Sequence, residues 1–183
     1  IWIHGTPSDT YNRSPWASNG CIVVSNPDFT RINKYINSSI HTPVIVAQQV
    51  KWLKPGEWQQ QRKEMINVLT SWIADWENNQ HDIYREHYSK QDYFAYNRDF
   101  KSWDGCKKWV TRDRKDIKVE YSNLNIFNYP GEESLVLMQF AQSYTSNNLD
   151  LETDKDVYWR KADNRWQIVY EGARTFPKTE TQL

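Results

Sequence analysis

Met65-Ile66-Asn67-Val68-Leu69-Thr70-Ser71-Trp72-Ile73-Ala74-Asp75-Trp76 decides the fold of the larger part of this chain, because its large apolar residues recur at three- and four-residue intervals. That spacing puts Met65, Leu69, Trp72, Ile73 and Trp76 on one wide face of a helix. Tyr84 and Tyr88 extend the pattern into a second short helix, and Phe100, Trp103 and Val110 mark a third across residues 98–115. From Ile117 the period becomes two: Ile117, Val119 and Tyr121 alternate with charged residues, and the slip at Ser122-Asn123 predicts a bulge. Leu135 to Tyr144, Val157 to Lys161 and Arg165 to Glu171 complete a four-stranded antiparallel set. Its turns are Pro130-Gly131, Asn147-Asn148 and Asp163-Asn164. Helices first and hairpins afterwards predict an α+β domain whose helices cover one face of a curved sheet.

Upstream the character changes, since residues 1 to about 50 are short, turn-rich and β-leaning. The shift falls at Lys51-Trp52-Leu53-Lys54-Pro55-Gly56-Glu57, where Pro-Gly punctuates and the flanking tryptophans predict a packed linker. Cys21-Ile22-Val23-Val24 is a short apolar run, and Asn26-Pro27-Asp28 supplies an N-cap, a proline at the first helical position and an early acid. A helix of about ten residues is expected to follow, with Phe29, Ile32 and Ile36 inward, and then a strand over Thr42-Pro43-Val44-Ile45-Val46-Ala47. Ile1-Trp2-Ile3-His4-Gly5 reads as the end of a buried strand entering a functional loop. Residues before Ile1, any signal peptide among them, are therefore expected in the natural protein.

Composition sets outer bounds. The 183 residues carry zero formal net charge and are only 38% hydrophobic, yet include ten tryptophans, eleven tyrosines and six phenylalanines. Such ring area offsets the aliphatic shortfall, so the chain reads as globular instead of disordered. Balanced charge removes the electrostatic signature of a nucleic-acid or anionic-membrane binder. No apolar run approaches the roughly 20 residues that span a bilayer.

One stretch looks chemical: His4-Gly5-Thr6-Pro7, a polar loop through Arg13, then Ser18-Asn19-Gly20-Cys21. A histidine at a strand end and a cysteine on a tight turn can meet if the loop folds back, and an imidazole lowers a thiol pKa and shuttles protons. Gly20 lets backbone pass close to a substrate, and amides around the turn can hold an oxyanion. A lone cysteine is also a common small core hydrophobe, and composition does not separate the two.

The strings themselves do more. His-Gly-Thr, the seventeen-residue step from His4 to Cys21, the Ser18-Asn19-Gly20-Cys21-Ile22 turn and the Ser25-Asn26-Pro27-Asp28 continuation resemble the L,D-transpeptidase, or YkuD-like, catalytic domain. The resemblance covers residues 1 to about 50 and implies the C-terminal part of a mostly-β domain, without the family's N-terminal strands. It implies Cys21 as nucleophile, His4 as general base, Gly5 orienting the imidazole through its backbone, and the turn Ser18, Asn19 and Gly20 bordering an oxyanion hole. Asn19 stands where most members have a second histidine, and Val23 where an arginine is frequent. Substrate carboxylate binding would then fall to Arg13, beside Trp16. The implied substrates are peptidoglycan stem peptides of the bacterial envelope, which makes the periplasm the expected location. Thiolate attack at the L-centre of diaminopimelate would give a thioester; an amine acceptor then yields a cross-link or protein anchor, and water yields carboxypeptidase trimming. That choice stays open. No cofactor or metal is implied.

Residues from about 60 to 175 resemble the NTF2-like fold, on the Trp72 to Trp76 helix, the Tyr84 and Tyr88 pair, and the closing Tyr158-Trp159-Arg160 and Arg165-Trp166-Gln167-Ile168-Val169 strands. The implied organisation is residues 1–50 catalytic, 51–58 linker, 59–176 NTF2-like and 177–183 tail. Such folds enclose a pocket used for catalysis, ligand binding or dimerisation. A glycan ligand and a homodimer are thus further partners, and a non-catalytic binding module is the competing function. Trp103, Trp109, Trp159 and Trp166 are the candidates for stacking on sugar rings. His81 and His87 read as surface residues and His41 as a loop residue. Asp75, Asp82 and Asp92 fit either an interior pocket or, more simply, solvated helix ends, and the Arg112-Asp113-Arg114-Lys115-Asp116 run reads as a solvated helix terminus. Cys106, three residues after Trp103, reads as a core thiol, with both cysteines expected free because a bridge would consume the nucleophile.

Overall fold

Two units make up the chain, one ending at Val46 and one beginning at Ala47. A computed structural model describes residues 2–9, 18–36 and 42–174.

In the first unit, β1 (Ile3–His4) and β2 (Ile22–Val23) pair in parallel. The Ile22 amide donates to the Trp2 carbonyl at 2.8 Å and the Val24 amide to that of His4 at 3.1 Å. Helix α1 (Asn26–Asn33) follows directly, and its cap is Ser25, one residue earlier than the sequence predicts: the Ser25 hydroxyl accepts the Asp28 amide. A hydroxyl on residue 25 reaches that amide across the first turn, which frees the Asn26 side chain for other partners. No residue of α1 is buried, so Ile32 is not the inward residue expected of it. The expected strand over residues 42–47 is also absent, and Val46 is 71% exposed. A strand has no hydrogen bonds of its own, and no described strand lies beside this segment to supply them.

The second unit opens with α2 (Pro55–Glu77), about 35 Å long at 1.5 Å per residue. Pro55 at its first position needs no amide partner, and the Glu57 carboxylate accepts the Lys54 amide at 3.2 Å. The helix therefore starts inside the segment read as linker. Trp52 is 89% exposed, so that segment is not tryptophan-packed; before Met65 there is no apolar stripe to bury it. From Met65 onward the expected face holds, with Met65, Leu69, Trp72, Ile73 and Trp76 all buried. Helix α3 (His81–Tyr84) runs into a single 3₁₀ turn (Arg85–His87) that delivers Tyr84 and Tyr88 to the core.

A hairpin, β3 (Phe94–Ala95) with β4 (Arg98–Asp99), then turns through Tyr96 and Asn97, both at positive φ. Strands of two residues carry no readable period, so the sequence did not announce it. Helix α4 (Phe100–Thr111) is capped by the Asp99 carboxylate on the Ser102 amide and is shorter than the 98–115 span expected. Its inward stripe runs from the buried Phe100 through the half-buried Trp103, Lys107 and Thr111, which leaves Val110 exposed.

β5 (Lys118–Asn128), β6 (Leu135–Ser146), β7 (Leu149–Ala162) and β8 (Arg165–Ala173) form an antiparallel sheet in that order. The register breaks between Ser122 and Asn125, with Asn123 at positive φ, as the predicted bulge requires. A second break, between Tyr158 and Trp159, adds curvature where β8 meets the end of the 3₁₀ turn, Ile168 bridging to Tyr88. Asp163 and Asn164 both adopt positive φ, the geometry of a tight primed hairpin turn. One face of the sheet meets the helices through Val136, Met138, Phe140, Val157, Trp159 and Ile168, all nearly or fully buried. Trp72 meets Trp159 edge-on at 6.2 Å, and the Glu77 carboxylate accepts the Val119 amide, tying the end of α2 to β5. This is the α+β architecture expected: helices on one face of a bent antiparallel sheet. Among the described residues no helix is long and apolar enough to cross a membrane.

Candidate active site

His4 ends β1 and Cys21 immediately precedes β2. In the parallel register His4 faces Val23, two residues after Cys21, so the pairing of β1 with β2 brings the two sequence-predicted residues to neighbouring backbone. The His4 Nδ1 lies 2.7 Å from the Gly5 carbonyl oxygen. A carbonyl only accepts, so Nδ1 is the donor of this bond and Nε2 is the nitrogen left to exchange a proton with another partner. Cys21 is half-buried and free, and the Ser18 hydroxyl donates to its carbonyl at 2.7 Å, closing the turn. Gly20 sits at φ +97° with open space where a Cβ would be, so backbone conformation, not room, calls for glycine here. Asn19 is exposed beside it. Arg13 and Trp16 lie outside the described residues, as does His41.

The sequence predicts Asn26 as a helix cap, a place that Ser25 takes. The Asn26 side chain instead accepts the Thr6 amide at 2.7 Å and donates to the Asp9 carboxylate at 2.8 Å, linking α1 to the loop after His4. The displaced cap was the signal: with a serine just before it, the asparagine amide has no helix amide to serve.

The second unit holds a buried polar network that the sequence reading missed. The Tyr88 hydroxyl donates to Glu171 at 2.8 Å, so its oxygen accepts from Trp72 Nε1 at 3.1 Å and from the Tyr84 hydroxyl at 2.6 Å. Lys155 Nζ donates to the other Glu171 oxygen at 2.5 Å. Burial pushes the Glu171 carboxyl up, but the Lys155 and Lys107 ammonium groups and these hydrogen bonds outweigh it and hold the group down at about 2. Burial, then the negative charge of Glu171, raises the Tyr84 and Tyr88 phenols well above their ordinary range. Lys107 Nζ lies 4.3 Å from the Trp76 ring centre and 5.2 Å from that of Tyr84. Burial lowers its amine to about 8, against the pull of Glu171. Lys107, Trp76 and Tyr84 line a small cleft with Asp75, Asn79, His81 and Thr111. The signal was present in the periods: Lys107 continues the Phe100, Trp103 face of α4, and Lys155 precedes Val157 and Trp159 on the inward side of β7.

Several sequence assignments change. His81 and His87 are not free surface residues; each is largely buried and meets a carboxylate, Asp104 at 2.9 Å and Asp75 at 2.7 Å. Cys106 is half-buried, not core, with the Arg98 guanidinium donating to its sulfur at 3.0 Å. Of the four tryptophans that sequence offers for sugar stacking, Trp159 is fully buried and Trp103 packs against Tyr88 at 3.9 Å with the rings tilted by 33°. Trp166 donates to Glu64 at 2.7 Å, and Trp109 stays 71% exposed. Among the described residues no cluster of three or more histidine, cysteine or acidic side chains has metal-holding geometry.

Comparison with known proteins divides the chain the same way. Residues 64–172 match the Cds6 C-terminal NTF2-like domain, and residues 1–46 match the L,D-transpeptidase catalytic domain. Bd1075 of Bdellovibrio bacteriovorus is similar at 25% identity and a TM-score of 0.77, over 96% of this chain and 61% of that one. The helical cell shape determining protein Pgp2 of Campylobacter jejuni is similar in fold at 22% identity and a TM-score of 0.73, over 93% of this chain and 59% of its own. An NTF2-like protein of Pseudomonas putida shares the fold of the second unit at 12% identity and a TM-score of 0.54, over 68% of this chain and 93% of that one. The chain thus spans about three fifths of Bd1075 and Pgp2. A search of curated proteins returns no match.

Proposed function

We propose, for a chain that belongs to the Cds6 C-terminal NTF2-like domain family and shares residues 1–46 with L,D-transpeptidase catalytic domains, a cysteine acyl transfer acting on peptidoglycan stem tetrapeptides in the bacterial envelope. His4 Nε2 takes the proton of Cys21, and the thiolate attacks the carbonyl of the L-centre of diaminopimelate. Amides of the Gly20 and Cys21 turn hold the oxyanion. Collapse breaks the bond to the terminal D-alanine, whose amine receives the proton back from His4 and leaves the acyl group as a thioester on Cys21. An amine then accepts that group in transpeptidation, or water accepts it in carboxypeptidation.

The observation that carries this proposal is the β1–β2 pairing, which sets His4 opposite Val23, two residues after Cys21, together with the Nδ1 contact to the Gly5 carbonyl, which leaves Nε2 available to take a proton. Cys21→Ala in the full-length protein, incubated with tetrapeptide muropeptides and read by product mass, should lose both D-alanine release and cross-link formation while keeping the fold. Undiminished turnover would overturn the proposal. The wild-type products of the same incubation separate transpeptidase from carboxypeptidase.

A second function, glycan binding by the NTF2-like unit, is favoured by one feature: Trp109 of α4 is 71% exposed, a flat ring open to the apolar face of a sugar. Quenching or shifting of tryptophan fluorescence by peptide-free muropeptide glycans in wild type, but not in Trp109→Ala, is the expected result; equal responses would refute it.

A further inference from the structure

The segment from Cys21 to Asn26 does two jobs at its two ends. At one end it carries the thiol. At the other, Asn26 Oδ1 accepts the Thr6 amide at 2.7 Å, and its Nδ2 donates to Asp9 at 2.8 Å. The same side chain occupies the space beside Gly5: a Cβ there would meet Asn26 Oδ1 far inside contact distance and would sit 3.6 Å from Asn26 Cα. Gly5 is thus held between the Asn26 side chain and its own carbonyl contact with His4 Nδ1 at 2.7 Å. The backbone of His4 is fixed on the opposite side, where its carbonyl accepts the Val24 amide at 3.1 Å.

We propose that Asn26 is the positioning residue for the His4 imidazole, a role that rests on the acyl-transfer proposal for Cys21 and His4. It reaches no reacting atom. By clamping Thr6 and crowding Gly5 it fixes where the Gly5 carbonyl points, and that carbonyl sets both the tautomer and the rotation of the ring. Without the clamp, the loop from Gly5 to Asp9 is free to turn the carbonyl away, and the ring loses the acceptor that keeps Nε2 directed at the thiol. Misplacement by about 1 Å costs on the order of 100-fold in such sites.

The test uses the full-length protein with two readouts: steady-state turnover of tetrapeptide muropeptides, and the pH profile of Cys21 alkylation by iodoacetamide, followed on its own peptide by mass. Asn26→Ala should lower kcat by about 10- to 100-fold with little change in KM, and should move the Cys21 alkylation profile to higher pH, because the thiolate loses its imidazolium partner. The double variant Asn26→Asp with Asp9→Asn reverses the side-chain donor and acceptor while keeping an oxygen for the Thr6 amide, and should restore both readouts to within about threefold. Wild-type kcat and an unmoved profile in Asn26→Ala would overturn the proposal. If Asn26→Ala fails to fold by near-ultraviolet circular dichroism, the double variant decides: folded protein with a displaced profile overturns it. Active Cys21→Ala would instead refute the acyl-transfer proposal beneath, so the two failures are distinct.

Discussion

Glu171 gives a quantitative test of the second unit. Its carboxylate is buried, both oxygens are hydrogen-bonded, by Lys155 and Tyr88, and its pKa falls from 4.5 to about 2 in the folded protein. At 1.36 kcal/mol per unit, that difference contributes about 3 kcal/mol. The sign follows from linkage: the folded state holds its proton less tightly than the unfolded chain, so the contribution is complete above 4.5 and is lost as pH falls toward about 2. Glu171→Gln keeps an acceptor for the Tyr88 hydroxyl but leaves Lys155 facing a neutral amide, and should cost about 3 kcal/mol near neutral pH. Urea unfolding followed by tryptophan fluorescence, at a series of pH values, measures both proteins under identical conditions. Exposed carboxylates titrate alike in the two, so they cancel in the difference. That difference should be full at about pH 5 and then shrink by about 1.4 kcal/mol per pH unit below 4.5. A difference that stays constant down to about pH 3 would refute the argument that the carboxylate charge carries the stabilisation.

Two further outcomes follow from the same network. Tyr88→Phe strips the shared oxygen from Trp72 Nε1 and the Tyr84 hydroxyl and a donor from Glu171, so it should cost about 1–3 kcal/mol in urea unfolding, whereas a loss under about 0.5 kcal/mol would contradict the network. Lys107 should titrate at about 8 by carbon-detected NMR of its ε-methylene, and lower still in Glu171→Gln, since the carboxylate raises it; titration in the ordinary lysine range would be the contrary result.

The Met65 to Trp76 stripe and the switch of period at Ile117 were enough to read the second unit, because helix and strand periods are imposed by burial on one face and these elements bury one face each. Where burial is not one-sided the sequence fell silent. The hairpin at Phe94 and Arg98 is too short for a period, and the segment from Thr42 to Ala47 has a strand's composition but no neighbouring strand. The buried charges were missed for a different reason. The buried Glu171 and the half-buried Lys107 and Lys155 sit at inward positions of legible elements, but a charge at such a position is normally assigned to solvent, and only the arrangement of all three in space makes the burial of the carboxylate tolerable. At the candidate active site the strings around His4 and Cys21 were legible, whereas the part played by Asn26 depends on a loop folding back across twenty positions, a contact no spacing announces.

The break in β5 also bears on what this sheet refuses to do. An eleven-residue outer strand with an open row of amides and carbonyls would serve as a template for another chain. Here the left-handed Asn123 and the lost register between Ser122 and Asn125 divide that row into two short rungs of different twist, and Lys118 and Glu120 pair across its first turn of pleat. At the far side, the Tyr96 hydroxyl accepts the Ala173 amide and Ser89 donates to the Ile168 carbonyl, so the β8 border is already partly spoken for. Neither border of this sheet therefore offers the continuous ladder that fibrous stacking requires.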